Sequence, residues 1–150
     1  MAEDFRLNRF LEAQAPVYDA VLAELRAGRK RSHWMWFVFP QIAGLGVSPT
    51  SVFYAIGSLA EARAYADHAV LGARLAECAG LMLSHRDRSA VAVLGSIDAV
   101  KFRSSMTLFA AAKPEAETFG ACLDAFFEGV RDPETMARIS DRQTNPNSAK

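Results

Sequence analysis

The sequence predicts an all-α protein, a single-domain compact bundle of about six to eight mostly short helices. Apolar residues recur at spacings of three and four along most of the chain, and several of these runs begin at residues that commonly cap helices. Signals for strands are weak, because the chain has no Asn-Gly or Asp-Gly hairpin and no sustained alternation of apolar and polar residues. Alanine is frequent and β-branched residues are sparse, which also favours helices.

Composition and charge exclude several classes of protein. The chain has 150 residues, of which 51% are hydrophobic, enough for one globular domain with a buried core. The 17 basic residues balance 17 acidic ones, so nucleic acid is not the expected partner. Cys78 and Cys122 are too few for a disulfide framework, and no signal peptide precedes the first helix, so we expect a cytoplasmic protein. Prolines and glycines interrupt the longest uncharged stretch, 32–60, and no membrane span is expected.

Caps, prolines and glycines predict where individual helices begin and end. Asp4 is the expected N-cap of the first helix, Pro16 suits the first turn of the second, and Gly28 is placed to end it. The segment 32–40 is compatible with either a short helix or a buried strand, and its helical surroundings favour the helix. We predict one domain over residues 1–142 and a loose polar tail over residues 143–150.

Later helices have similar signals. Ser58 to Glu61 matches a capping box. Further helices are expected to begin near Asp67, at Asp98 and at Pro114, and Gly129 is placed to end the last of these. A short helix is expected at 91–94, and a last short helix is expected to begin at Asp132.

The segment from Gly28 to Ser48 combines three cations, a hydroxyl, two tryptophans and a glycine-containing loop. Cations neutralise phosphate, hydroxyls and free amides donate hydrogen bonds to it, an indole stacks on a ring, and a carboxamide contacts the ring's polar edge. The candidate ligand-binding residues of this segment are Lys30, Arg31, Ser32, Trp36 and Gln41. The alternative is that residues 34–39 simply form core and that residues 29–31 form a solvated charged run.

A second polar cluster lies at residues 101–107. On a helix Lys101, Ser104 and Ser105 share one face, and they would complete a phosphate site. The alternative is that the hydroxyls bond back to preceding carbonyls while the cations point to water.

Motifs for chemistry are sparse. His33 is the candidate catalytic residue, as a general acid or base, with a structural histidine as the alternative; the sequence leaves open whether the protein is an enzyme. No metal site is expected, because the three histidines are widely spaced and the cysteines are far apart in sequence. No motif indicates a cofactor or fixes the oligomeric state.

Two stretches carry a resemblance to a known family. They are Arg29-Lys30-Arg31-Ser32-His33-Trp34-Met35-Trp36-Phe37-Val38-Phe39-Pro40-Gln41 and Ser104-Ser105-Met106-Thr107-Leu108-Phe109, with shorter matches from about Phe5 to Ile139. The chain resembles the bacterial family called domain of unknown function 1810, sometimes mislabelled calpastatin. The resemblance implies a mainly α-helical, single-domain cytosolic protein of unusual topology, and it implies no activity. Residues 66–69 depart from the family's pattern, where a leucine and a proline are expected nearby.

The functional hypothesis is that the segments 28–48 and 101–107 meet in one concave, positively polarised pocket. Such a pocket would bind a small anionic ligand, phosphorylated or nucleotide-like. The alternative is a non-catalytic helical module that binds another protein through an apolar patch.

Overall fold

Ten α-helices make up the secondary structure of the part that the computed structural model describes, residues 5–144, with side chains through residue 140. They are α1 Asn8–Gln14, α2 Tyr18–Ala27, α3 Met35–Val38, α4 Pro49–Phe53, α5 Leu59–Asp67, α6 Leu71–Leu83, α7 Ala90–Leu94, α8 Ser96–Ala112, α9 Glu117–Phe127 and α10 Pro133–Thr144. The all-α prediction is confirmed. The count exceeds the predicted six to eight, and α4, only five residues long, is a helix that the sequence did not predict. None of the described helices has the length and apolarity that a bilayer crossing requires.

Helix α8 is the centre of the fold. It packs against α5, α7, α9 and α10, whereas α6 packs against α2, α3, α5 and α9. The helices α5 and α9 therefore join the surroundings of α8 to those of α6. The sequence of α8 explains its position, because the run from Ser104 to Ala110 is buried at every residue. A helix that buries residues all around its circumference belongs inside the protein rather than on its surface.

Several predicted caps are confirmed. Ser58 Oγ accepts the Glu61 amide at 3.1 Å, and Asp132 Oδ2 accepts the Thr135 amide at the same distance. Gly28 ends α2 in the left-handed region, with φ of 71°. The other half of the Ser58 capping box is absent, because the Glu61 carboxylate contacts Gly57 and Arg9 instead.

Other predicted boundaries are shifted by a few residues. Helix α6 begins at Leu71 rather than near Asp67, and α9 begins at Glu117 rather than at Pro114. Helix α8 begins at Ser96, so Asp98 lies in its first turn instead of capping it. Helix α10 continues to Thr144, two residues into the predicted tail. Asp4 and residues 145–150 lie outside the described residues.

The aromatic segment 32–40 contains the predicted short helix, α3. Trp34 and Val38 are buried in the core, and Phe39 packs edge-on against Phe102 of α8 with ring centroids 4.9 Å apart. Beyond α3, the Ile56 amide donates to the Gln41 carbonyl at 2.9 Å, and the Ala43 amide donates to the Ile56 carbonyl at 2.8 Å. These bonds hold the loop that follows α3 against the segment that precedes α5.

A buried ion pair fixes α1 on this assembly. Arg9 Nη2 lies 2.8 Å from Glu61 Oε2, and the two side chains are only 6% and 9% exposed. The same guanidinium donates to the carbonyls of Phe53 at 2.9 Å and Ala55 at 3.0 Å. The Arg9 side chain thus connects α1, the end of α4 and the start of α5.

Replacing one partner of this pair should strongly destabilise the protein. For Arg9→Met we expect the free energy of unfolding to fall by about 3–5 kcal/mol, because Glu61 is left as a buried, uncompensated charge. The double variant Arg9→Met/Glu61→Leu should recover part of that loss. Urea denaturation measures both. Losses that simply add in the double variant would show that the pair is not coupled.

Candidate ligand-binding site

A cleft of about 430 Å³ opens between the loop after α3 and the helices α8 and α10. It has aromatic and apolar walls, a lysine, a serine and two carboxylates. Its lining residues are Trp36, Gln41, Leu45, Gly46, Ile97, Val100, Lys101, Ser104, Asp132 and Glu134.

The two polar segments singled out in the sequence meet at this cleft. Trp36 and Gln41 come from the first segment, and Lys101 and Ser104 come from the second. These four were predicted to contact a ligand, and the structure places them around one hollow. Lys101 is moreover in direct contact with Trp36, since its Nζ lies 3.7 Å from the centre of an indole ring.

Lys101 keeps part of its charge available for a ligand. Its Nζ lies 3.5 Å from Asp98 Oδ1, whereas Lys30 Nζ lies 2.8 Å from Oδ2 of the same carboxylate. Asp98 is therefore bound closely by Lys30 and only loosely by Lys101. The Lys101 side chain is 20% exposed, so a ligand in the cleft can reach its ammonium group.

Lys30 does not line the cleft, contrary to the prediction. Its side chain is 7% exposed, and its Nζ donates to the Ser32 carbonyl at 2.5 Å as well as pairing with Asp98. The ammonium also lies 5.0 Å from the centre of a Trp34 ring. These groups already neutralise and surround the Lys30 ammonium. Lys30 therefore joins the first segment to the start of α8 and is not available to bind an anionic ligand.

Arg31 and Ser32 also lie outside the cleft, because Glu24 of α2 holds their backbone. Glu24 Oε1 accepts the amides of Arg31 at 2.7 Å and Ser32 at 3.0 Å, and it accepts the Trp34 indole N–H at 3.0 Å. Glu24 Oε2 accepts the Ser32 hydroxyl. Burial opposes ionisation, yet these hydrogen bonds outweigh it and lower the pKa of Glu24 to about 2. The amides predicted to bind phosphate therefore bind a carboxylate of the protein itself.

The remaining two predicted site residues are separate from the cleft for opposite reasons. His33 is exposed on the surface and does not belong to the lining. Ser105 is fully buried inside α8, and its hydroxyl has no hydrogen-bond partner. Its neighbours follow the alternative interpretation, because Ser104 and Thr107 donate to the carbonyls of Val100 at 3.2 Å and Arg103 at 2.8 Å, one turn earlier.

Sequence reasoning missed the acidic wall of the cleft. Asp132 was recognised as a helix cap, but nothing in the linear sequence places it beside Ser104, whose hydroxyl lies 3.2 Å from Asp132 Oδ2. Glu134 follows in the first turn of α10. With Lys101 as the one cation in the described lining, the cleft has mixed charge and is not the positively polarised pocket that was predicted.

An arginine of α10 lies close against the loop that forms one wall. Gly44 has φ of 100°, and a Cβ atom there would lie 2.4 Å from Arg138 Nη1 of α10. A side chain at this position would therefore strain the backbone and collide with the guanidinium. Behind the loop, Trp36 and Gln41 also border a second cavity of about 10 Å³, room for roughly one water molecule.

The described residues show no alternative site for nucleophilic or metal chemistry. Cys78 and Cys122 are buried, and burial raises the pKa of each thiol to about 12. Within the same part of the chain, no three histidine, cysteine or acidic side chains are close enough together to hold a metal ion.

Comparison with known proteins agrees with this architecture. A family model described as a protein of unknown function, DUF1810, matches residues 4–139. The chain belongs to the DUF1810 family. The crystal structure of a conserved hypothetical protein, Rv1873 from Mycobacterium tuberculosis, is 51% identical and superimposes with a TM-score of 0.90. That match covers 92% of this DUF1810 chain and 99% of the other. A search of curated proteins found no match.

The Glu24 contacts predict a defined pH dependence of stability. Because folding lowers its pKa from 4.5 to about 2, Glu24 stabilises the protein above about pH 4.5, and this contribution is lost as the pH falls through about 2. Glu24→Gln should lower the free energy of unfolding by about 2 kcal/mol at neutral pH. The difference in the free energy of unfolding between Glu24→Gln and the wild type should be smaller near pH 2, as measured by urea denaturation.

The matched control is Asp87→Asn, which removes an exposed carboxylate outside the Glu24 cluster. It should leave the stability at both pH values close to that of the wild type. A Glu24→Gln deficit that does not change with pH would contradict the assigned role of the carboxylate.

Both thiols should be inert in the folded protein. A thiol-reactive dye should label neither Cys78 nor Cys122 at neutral pH, because each is buried and only the thiolate reacts. Both should react after unfolding in urea. Rapid labelling of either cysteine in the native protein would contradict the burial described above.

Proposed function

We propose that this protein binds a small, ring-bearing anionic molecule, phosphorylated or nucleotide-like, in the cleft between the loop after α3 and helix α8. The observation that carries the proposal is the meeting of Trp36 and Gln41 with Lys101 and Ser104 around a single hollow. A volume of about 430 Å³ is in the range of small-molecule sites, which combine apolar walls with a few convergent polar groups.

Lys101 is the proposed partner of the anionic group. Its nearest carboxylate, Asp98, is 3.5 Å away and is held more closely by Lys30. An incoming phosphate or carboxylate would therefore gain a charge-assisted hydrogen bond without displacing a short ion pair. One lysine supports one phosphate better than a polyphosphate chain, which would bring several charges near Asp132 and Glu134.

The ring of the ligand would lie among Trp36, Leu45 and Val100. The indole and the two aliphatic side chains provide the apolar surface that a heterocycle covers. The carboxamide of Gln41 makes no hydrogen bond to another described residue, so both its donor and its acceptor are available to the ring's polar edge.

Binding without catalysis is the form of the proposal that the geometry supports. His33, the candidate acid or base, is exposed and outside the lining, so it has no place beside a ligand held by Lys101.

The rim of the cleft supports a second candidate function, a protein-interaction module. Ile97 and Val100 lie on successive turns of α8 and are 72% and 63% exposed. An apolar rim of this kind is suited to covering by another protein. Light scattering of the purified protein, with and without Ile97→Lys, distinguishes a self-associating surface from a ligand-binding rim.

Two variants test the ligand-binding function. Isothermal titration calorimetry with nucleoside monophosphates should detect binding to the wild type and a loss of at least about tenfold in affinity for Lys101→Gln, because a charged hydrogen bond is removed. Trp36→Leu should weaken binding by a similar factor through the lost aromatic surface.

Lys113→Gln provides the control, since Lys113 pairs with Asp67 and neither residue lines the cleft. It should bind like the wild type. Absence of binding to the wild type at millimolar concentrations, or unchanged affinity in Lys101→Gln, would overturn the proposal.

A further inference from the structure

The acidic wall of the cleft narrows the class of ligand. We propose that Asp132 and Glu134 select a heterocycle carrying an amino group, so that the ligand is an amino-substituted nucleobase joined to a single phosphate. This inference rests on the proposed function and adds the identity of the ring.

Hydrogen bonds within the protein orient the Asp132 carboxylate through one of its two oxygens. Its Oδ2 accepts the Ser104 hydroxyl at 3.2 Å, the Thr135 amide at 3.1 Å and the Thr135 hydroxyl at 2.5 Å. Its own amide donates to Thr107 at 2.9 Å. The Oδ1 atom accepts no hydrogen bond from the described residues. A carboxylate fixed in this way offers a pre-oriented acceptor to a group in the cleft.

Glu134 adds a second acceptor nearby. Its closest cation is Arg138, with Nε 3.9 Å from Oε2, beyond hydrogen-bond distance. The Glu134 side chain is 72% exposed, so it can turn toward a ligand. Two carboxylates attract the N–H bonds of an amino group and repel the lone pairs of a ring carbonyl. The wall therefore distinguishes an amino substituent from an oxo substituent.

The position of the charges along α8 suits a nucleoside monophosphate. Lys101 Nζ lies toward Asp98, near the start of the helix, whereas Asp132 is bonded to Ser104. Residues 98 and 104 are separated by ~9 Å along a helix axis, at 1.5 Å per residue. A nucleoside monophosphate spans a comparable distance between its phosphate and the amino group of its base. Phosphate at Lys101 and amino group at Asp132 can thus be bound together.

Paired ligands test the selection directly. Calorimetry would compare adenosine with inosine monophosphate and cytidine with uridine monophosphate. Within each pair an oxo group replaces the amino group, and the adjacent ring nitrogen gains a hydrogen. The wild type should bind the amino member of each pair at least about tenfold more tightly, because the oxo member places a carbonyl oxygen, which the carboxylates repel, where the amino member donates. In Asp132→Asn/Glu134→Gln the preference should fall below about threefold, since a carboxamide also donates to a carbonyl.

The fold should tolerate the central change, because asparagine caps helices about as well as aspartate. Glu134→Gln alone, at an exposed position, provides a second variant with a smaller expected loss of preference. Asp87→Asn serves as the control for removing one negative charge. Equal binding of amino and oxo partners by the wild type would overturn this inference while leaving the proposed function intact, provided that binding still depends on Lys101. Failure of every monophosphate to bind would overturn the proposed function itself.

Discussion

The carboxylate of Asp98 is the constraint on which the cleft depends. It lies in the first turn of α8, where a negative charge is favourable to the helix, and it joins lysines from two distant parts of the chain. Lys30 and Lys101 each lie over a tryptophan ring, Trp34 and Trp36 respectively. A single carboxylate therefore fixes the wall carrying the indole relative to the helix carrying the ammonium group. Without it, two like charges would face each other near the start of α8.

Glu24 plays the matching role on the other side of the same segment. By accepting the amides of Arg31 and Ser32 and the indole N–H of Trp34, it sets the path of the backbone that enters α3. Trp34 is thereby buried, and Trp36, two residues later, is left half-buried at the cleft. A side chain presented by a segment anchored at both ends is held more precisely than one on a free loop.

The features that the sequence could predict are those that depend on neighbours in the chain. The cap at Ser58, the left-handed Gly28 and the start of α10 at Asp132 each involve residues within one helical turn or at its end, and all three are confirmed. The pairing of residues 28–48 with 101–107 around a cleft was predicted from chemistry alone, since both segments carry polar groups in apolar surroundings.

What the sequence could not predict is how each polar group is satisfied. Lys30 and Ser32 are typical of an anion site, and they do face anions, but those anions are Asp98 and Glu24 of the protein. Asp98 is distant from the segment in sequence, whereas Glu24 lies in α2, only eight residues before Ser32, and no local pattern identifies either partner. The acidic wall of the cleft could not be predicted for the same reason. The sequence around Asp132 indicates only a helix cap, and its contact with Ser104 is seen only in the structure.

The mixed charge of the cleft follows from the way it is held together, and it limits what can bind there. The lysine that would attract an anion shares its carboxylate with a second lysine, so its attraction is reduced but not cancelled. Any anion that approaches Lys101 also approaches Asp132 and Glu134, which repel it unless its remaining atoms donate hydrogen bonds. A purely anionic molecule is attracted by Lys101 and repelled by Asp132 and Glu134. A molecule with an anionic end and an N–H-donating end is attracted by all three side chains. Most of the polar groups near the cleft are thus neutralised by other groups of the protein. The few that remain, Lys101, Asp132 and Glu134, have opposite charges and face one hollow, and this arrangement gives the cleft its selectivity.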